Sequence, residues 1–139
     1  MGPQTTIPDR SAGEAETTYC VLGGGQVGVA VAQRLLDDGH AVRLVDEDYN
    51  HHEIPGYTGD PSDVRVLEEA EIAGASTVVV ATQSDRRNLL VAQLVRAHFD
   101  VPRVVVLVNS PCRSALFEAA GHEPICATTV LSEALTKSV

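Results

Sequence analysis

The sequence predicts a doubly wound parallel α/β sheet, and three observations support that fold class. An apolar strand over residues 19–22 runs into a turn of the pattern G-x-G-x-x-G, and an apolar helix follows at once. A second apolar strand, residues 41–45, ends in the acid Asp46. Helix-length amphipathic segments then alternate with β-branched runs along the rest of the chain. This alternation is typical of a Rossmann-like sheet with strand order 3-2-1-4-5-6.

The glycine turn predicts a phosphate-binding segment between the first strand and a helix of about residues 26–38. Gly23 suits the tight turn, Gly25 lets a pyrophosphate approach because it lacks a Cβ, and Gly28 lets the helix pack close to the strand. The helix N-terminus offers free N–H groups and a partial positive charge. The predicted segment comprises Gly23, Gly24, Gly25, Gln26, Val27 and Gly28.

The acid at the tip of the second strand predicts a ribose contact. Asp46 would accept hydrogen bonds from a ribose 2′-OH, and Glu47 follows it directly. Because Asp46 disfavours a 2′-phosphate, NADP is a poorer candidate than NAD. The alternative interpretation is a Rossmann-like turn that keeps its shape and has no ligand.

The stretch after Asp46 predicts a fold that is shortened at this point. Residues 48–56 have no helical period, and Pro55-Gly56 acts as a helix breaker. We expect a short strand at residues 57–58, and then a helix with Asp60 as its N-cap and Pro61 at its first position.

The second half of the chain predicts three more strands, each followed by a helix. The β-branched runs are typical of central parallel strands. The predicted strands cover residues 76–81, 103–108 and 124–127, and the predicted helices cover residues 85–98, 112–120 and 130–136. Caps are expected from Ser84 or Asp85 for the first of these helices and from Thr128 or Thr129 for the last. The apolar stripe of the first helix is Leu89, Leu90, Ala92, Leu94 and Val95.

Other candidate ligand contacts follow from where the strands end. In a doubly wound sheet, ligands lie beyond the carboxyl ends of the strands. Asp60 follows the short third strand, and Ala81, Thr82 and Gln83 follow the fourth, across the crevice from the glycine turn. The alternatives stay open: Asp60 acts only as a helix cap, and Thr82 and Gln83 form only a strand-end turn.

Composition limits the classes of function. The 139 residues predict one domain, residues 18–139, after a flexible tail of residues 1–17. A net charge of −9, from 19 acidic and 10 basic residues, disfavours nucleic acid and anionic lipid as partners. The acidity fits either ordinary solubility or a high-salt cytoplasm. No apolar run is long enough to span a bilayer, and no secretory signal is evident, so a cytoplasmic location is expected.

Metal and redox chemistry are not expected. The three cysteines have no C-x-x-C spacing; Cys20 and Cys126 are expected in the core, and Cys112 is expected to be a passive surface residue. His51-His52 is a poor metal pair, because adjacent side chains point apart and no third ligand is evident. The remaining histidines are expected at helix ends or on the surface; they are His40, His98 and His122.

The sequence disfavours an enzyme. No Tyr-x-x-x-Lys motif is present, and the only lysine is Lys137. Hydride transfer requires a general acid or base beside the nicotinamide, and we expect no second domain that would hold a substrate. A small NAD-dependent oxidoreductase and a ligand-free interaction module remain the alternatives to a nucleotide-binding domain.

The chain resembles the TrkA-N domain, also called the RCK (regulator of K⁺ conductance) N-terminal domain. The resemblance begins with residues 21–46, VLGGGQVGVAVAQRLLDDGHAVRLVD, and continues through GDPSD at 59–63 and VVVATQSD at 78–85. It also includes NLL at 88–90 and the segment from strand 104–109 to Gly121. Two departures are the absence of a full helix after Asp46 and the presence of Gln26 where many relatives have arginine.

The resemblance implies a cytoplasmic regulatory domain that binds NAD(H) or an adenine nucleotide such as ATP, ADP or AMP. It also implies a homodimer that controls a separate membrane potassium transporter or channel. On the matching positions, the glycines Gly23, Gly25 and Gly28 would hold phosphates, and Asp46 would hold the ribose. Asp60 and Thr82 would approach the adenosine half.

Overall fold

A computed structural model describes residues 18–49, 53–110 and 113–139. The strands are β1 (Thr18–Leu22), β2 (Ala41–Asp46), β3 (Gly56–Thr58), β4 (Thr77–Val80), β5 (Arg103–Val108) and β6 (Glu123–Cys126). The helices are α1 (Gln26–Asp37), α2 (Val64–Glu69), α3 (Asp85–His98), α4 (Ser114–Ala119) and α5 (Ala127–Ser138), with a 3-10 turn at Ile72–Gly74.

The strands form one parallel sheet in the order β3-β2-β1-β4-β5-β6, which confirms the predicted fold class. The chain reverses its direction of travel across the sheet between β1 and β4. Leu22 is level with Val45 on one side and with Val80 on the other. The glycine turn, Asp46 and the end of β4 therefore lie at the same edge of the sheet.

The central strands are buried on both faces. In β1, Cys20 and Leu22 pack into one hydrophobic cluster, while Val21 packs into a second cluster on the opposite face. Alternating side chains of a strand point to opposite faces, so the continuous apolar run reflects cover on both sides. The prediction of Cys20 as a core residue is confirmed, and burial raises the pKa of its thiol to about 11, despite the opposing charge of Arg43.

The region between β2 and β3 contains no helix within residues 47–49 and 53–55. This agrees with the predicted shortening. Ile54 from this region is almost fully buried beneath α1, in the cluster that also holds Val21 and Ala32. His51 and His52 lie outside the described residues, as do Cys112 and the predicted tail of residues 1–17.

The predicted start of α2 was wrong. The helix begins at Val64, and its N-cap is Asp63, whose carboxylate accepts a hydrogen bond from the Arg65 N–H at 2.9 Å. Asp60 instead closes a turn by accepting hydrogen bonds from the N–H and the hydroxyl of Ser62, at 2.8 and 2.7 Å. Asp followed by Pro is as favourable for a turn as for a helix start, so the local sequence did not separate the two.

The predicted inner face of α3 was also partly wrong. Leu90 is half exposed, and Leu94 is only partly buried. The residues that α3 buries are Asp85, Asn88, Val91, Ala92 and Val95. The predicted burial of Ala92 and Val95 is confirmed, and Leu89 packs against the core. Asp85 and Asn88 were not predicted, because they are polar residues at inner positions of the helix.

The end of the chain departs from the prediction in four ways. α5 begins at Ala127, with Cys126 at the N-cap, and Cys126 is only partly buried. β6 begins one residue earlier than predicted. His122, expected near the surface, is 5% exposed, and neither ring nitrogen has a hydrogen-bond partner within the described residues.

Candidate functional site

An open cleft of about 580 Å³ lies at the carboxyl edge of the sheet, where β1 and β4 part. Ligands of doubly wound sheets bind at such switch points. The cleft is lined by Gly23, Gly24, Gly25, Asp46, Asp48, Pro61, Thr82, Gln83, Ser84 and Arg87. Six of the predicted site residues therefore meet in one cavity.

Two glycines of the turn are required by the fold itself. Gly23 has φ +117° and donates its N–H to the Val45 carbonyl at 2.9 Å. At Gly28, a Cβ would lie 1.9 Å from the Gly23 carbonyl oxygen, which is part of the backbone and has little freedom to move. Gly28 thus sets the distance between α1 and the turn, as the motif predicts.

Gly24 and Asp46 fit each other closely. The Gly24 N–H donates to Asp46 Oδ1 at 2.9 Å, and the Asp48 N–H donates to Oδ2 at 3.1 Å. A Cβ on Gly24 would lie 2.5 Å from the Asp46 carboxyl carbon. A carboxylate accepts about four hydrogen bonds, so Asp46 is held in position and keeps acceptor capacity toward the cleft.

Gly25 differs from the other glycines because its surroundings have room for a side chain. It is the N-cap residue of α1 and has φ −70°, which any residue adopts. A Cβ there would have no neighbour closer than the Gln83 amide nitrogen, at 3.6 Å. The space in front of Gly25 therefore belongs to the cleft, and the first N–H groups of α1 have no partner within the helix.

The end of β4 is held by a buried asparagine that the sequence reasoning missed. Asn88 Oδ1 accepts hydrogen bonds from the Thr82 N–H at 3.0 Å and the Thr82 hydroxyl at 2.5 Å. Its Nδ2 donates to the carbonyls of Thr82 and Leu107 at 3.1 and 2.9 Å. The available signal was a polar residue at the inner position of an otherwise apolar helix.

Arg87 joins two predicted site residues at the rim of the cleft. Its Nη2 donates to Asp60 Oδ1 at 2.7 Å and to Glu47 Oε1 at 2.8 Å. The bridge therefore connects α3 with the ends of β2 and β3. Sequence reasoning missed Arg87, because nothing local to α3 indicates which acids it meets.

Contacts of the bridge shift the pKa values of Asp60 and Arg87. The Ser62 N–H bond is the largest cause that lowers the pKa of Asp60; burial opposes it, and the Ser62 hydroxyl and Arg87 add to the lowering. The hydrogen bond to Asp60 raises the pKa of Arg87 against the effect of burial, with a further contribution from Glu47. Both shifts favour the charged forms of Asp60 and Arg87.

The other predicted site residues do not line the cleft. Gln26 and Val27 are exposed in the first turn of α1, with Val27 half exposed. Ala81 is buried and donates its N–H to the Leu22 carbonyl at 2.9 Å. The lining of the cleft also does not include Gly28, Glu47 or Asp60.

The part of the chain that the structure describes contains no group of three or more His, Cys, Asp or Glu side chains arranged to hold a metal ion. Within the same residues, no helix has the length and hydropathy needed to cross a membrane.

The strand order, the glycine turn at the switch point and the acid at the tip of β2 define a Rossmann-like domain. Residues 19–132 match the family model of the TrkA-N domain. The chain therefore belongs to the TrkA-N domain family, as the resemblance in its sequence indicated.

Two Trk system potassium uptake proteins are similar in sequence to most of this chain. The chain is 32% identical over 112 residues to a Trk system potassium uptake protein TrkA homolog of Methanothermobacter thermautotrophicus, covering 76% of this chain and 51% of that protein. It is 30% identical over 115 residues to the Trk system potassium uptake protein TrkA of Mycobacterium tuberculosis, covering 78% and 52%. The chain thus spans about half the length of these relatives.

The fold is also similar to that of a solved potassium-conductance regulator domain. The GsuK RCK domain superposes with a TM-score of 0.80 and 24% identity, covering 91% of this chain and 28% of that one. At this level of identity the comparison establishes the fold.

Proposed function

We propose that this domain binds NAD(H) or an adenine nucleotide in the cleft and thereby regulates potassium transport by a separate membrane protein. One observation carries the proposal: the space in front of Gly25 is open, and it lies between the N-terminus of α1 and the fixed carboxylate of Asp46. A helix N-terminus binds phosphate, and an acid in this position binds a ribose hydroxyl.

The proposed pose follows the line of the cleft. The phosphates lie against the turn of Gly23, Gly24 and Gly25, and the first N–H groups of α1 from Gln26, Val27 and Gly28 face them. The ribose lies at Asp46, and the adenosine end lies toward the bridge of Arg87. In this pose Glu47 and Asp60 act through Arg87. Thr82 and Gln83 form the opposite wall, and Ala81 is buried behind them.

Solved structures of similar fold support a nucleotide ligand. One is a GsuK channel bound to NAD, with a TM-score of 0.68 and 21% identity. Another is GsuK bound to ADP, with a TM-score of 0.71 and 20% identity. The TrkA relatives support potassium uptake as the process that the domain serves.

Regulation fits the cleft better than catalysis does. Its lining contains no His, Lys, Tyr or Cys among the described residues, and of its two carboxylates, Asp46 and Asp48, the first is held by two backbone N–H groups. The Arg87 bridge connects both sides of the crevice. A ligand that binds better when this bridge is open shifts the domain between two states, which a partner detects.

The proposed assembly is a cytoplasmic homodimer that contacts a membrane transporter. α5 supports the dimer, because no residue of this helix is buried within the described chain. Its exposed apolar residues are Val130, Leu131 and Leu135. A second copy of α5 would cover this face.

The test is a ligand panel measured by isothermal titration calorimetry, with NAD, NADH, ATP, ADP and AMP. At least one compound should bind the wild-type domain, and Gly25→Ala should weaken it at least about tenfold, because the new methyl group occupies the phosphate space. Gly74→Ala is the matched control, since a Cβ there meets nothing within 4 Å. Absence of binding at millimolar concentration of every compound would refute the proposal.

A further inference from the structure

A second cleft, of about 360 Å³, lies beside the first at the carboxyl ends of β4 and β5. It is lined by Gln83, Ser84, Asp85, Arg86, Asn109, Ser110 and Arg113. Gln83 and Ser84 belong to both clefts. The two cavities are therefore neighbours, separated only by the turn that leads into α3.

Gln83 lies between the two clefts and lines both of them. Its amide nitrogen is the nearest group to the open space at Gly25, 3.6 Å from the position of a Cβ there. The same residue lines the second cleft. A phosphate chain that starts at Gly25 and extends past Gln83 thus enters the second cleft directly.

The two clefts differ in charge. The lining of the first contains Asp46 and Asp48, and its only basic residue among the described ones is Arg87, which is already paired with two acids. The second contains Arg86 and Arg113, which form no ion pair within the described residues. The second cleft therefore has two exposed guanidinium groups and one acid, Asp85, in its lining.

The acid in the second cleft is used to build its wall. Asp85 Oδ1 accepts hydrogen bonds from the N–H and the side-chain amide of Asn109, at 2.6 and 3.0 Å, and Oδ2 accepts from the Ser110 N–H at 2.8 Å. Burial raises the pKa of Asp85, but these bonds and the charge of Arg113 together lower it below its usual value. Asp85 therefore fixes the loop that leads toward Arg113, and Arg86 and Arg113 are the basic groups of this cleft.

We propose that Arg86 and Arg113 form a subsite for the terminal phosphate of a nucleoside di- or triphosphate whose adenosine occupies the first cleft. The inference rests on the proposed nucleotide function and narrows its ligand class. The acidic end of the sheet edge suits ribose hydroxyls, and the arginine end suits a phosphate with two negative charges. AMP ends at the glycine turn and does not reach the arginines.

The experiment compares AMP, ADP and ATP by calorimetry in magnesium-free buffer with EDTA. Variants are Arg86→Gln, Arg113→Gln and the double variant. Arg34→Gln is the matched control, because Arg34 is in the last turn of α1, lines neither cleft and forms no ion pair within the described residues. Wild type should bind ADP or ATP about tenfold tighter than AMP, as expected for a charge-assisted hydrogen bond. The double variant should lose this preference and bind AMP as wild type does, which also shows that it is folded.

Each outcome has a defined meaning. Equal binding of AMP, ADP and ATP by wild type refutes the subsite and leaves the nucleotide proposal intact. Preservation of the preference in the double variant, or an equal loss in Arg34→Gln, also refutes it. If no compound binds wild type, both the subsite and the nucleotide proposal fail.

Discussion

Gly25 and Gly28 belong to the same sequence motif, but only Gly28 has no space for a side chain. The stability of alanine variants at the two positions therefore tests the role of each glycine. We expect Gly28→Ala to destabilise the fold and Gly25→Ala to leave its stability nearly unchanged. At Gly28 the new Cβ would lie 1.9 Å from a backbone carbonyl oxygen, whereas at Gly25 its nearest neighbour is 3.6 Å away. The first position requires backbone movement, and the second requires none.

The magnitudes follow from general substitution energies. Overpacking a tight site costs about 1–3 kcal/mol, and a rigid backbone neighbour places Gly28→Ala at the upper end, about 3 kcal/mol. At Gly25, alanine is a poorer N-cap than glycine, which costs about 0.5–1 kcal/mol. Reduced freedom of the unfolded chain offsets this by about 0.4–1 kcal/mol. The net change at Gly25 is therefore within about 0.5 kcal/mol of zero.

The assay is urea denaturation followed by circular dichroism, with Gly74→Ala as the reference substitution. A Cβ at Gly74 meets nothing within 4 Å and the residue has no positive φ, so this variant should be as stable as wild type or slightly more stable. The reasoning is refuted if Gly28→Ala is as stable as the Gly74→Ala reference. It is also refuted if Gly25→Ala loses stability to the same extent as Gly28→Ala.

Three further predictions concern other parts of the fold. Asn88→Ala should lower the free energy of unfolding by about 3 kcal/mol, because it leaves the buried N–H of Thr82 without its acceptor and removes a donor from the Thr82 and Leu107 carbonyls; an unchanged urea midpoint would contradict this. Burial lowers the pKa of His122, with a smaller effect from a nearby arginine, so stability should fall as the pH drops below 6.5, and His122→Phe should flatten that part of the pH profile. The double substitution Leu131→Asp, Leu135→Asp should convert a dimer to a monomer in light scattering, and a monomeric wild type would overturn the proposed interface.

The sequence was sufficient for the sheet order and for the position of the cleft. Both depend on local signals: β-branched runs for the strands, and the glycine spacing with Asp46 at a strand tip for the switch point. Strand register then places the strand ends side by side, whatever the exact helix boundaries are.

The polar contacts of α3 with distant strands could not be predicted from the sequence. Asn88 and Arg87 gain their partners only when α3 packs against strands that lie far away in the chain. The two errors at Asp60 and α3 have the same origin. The local sequence around Asp60 is compatible both with a turn and with a helix cap. A polar residue that points inward from a helix, such as Asn88, is recognised only when its hydrogen-bond partner is known.

The dual attachment of Asp46 affects how its variants are interpreted. Both carboxylate oxygens accept backbone N–H groups, one from Gly24 and one from Asp48. An asparagine has only one acceptor oxygen, so Asp46→Asn leaves at least one of these N–H groups unpaired and loosens the turn itself. Loss of binding in that variant therefore reports on architecture and recognition together, whereas a change at Gly25 isolates recognition.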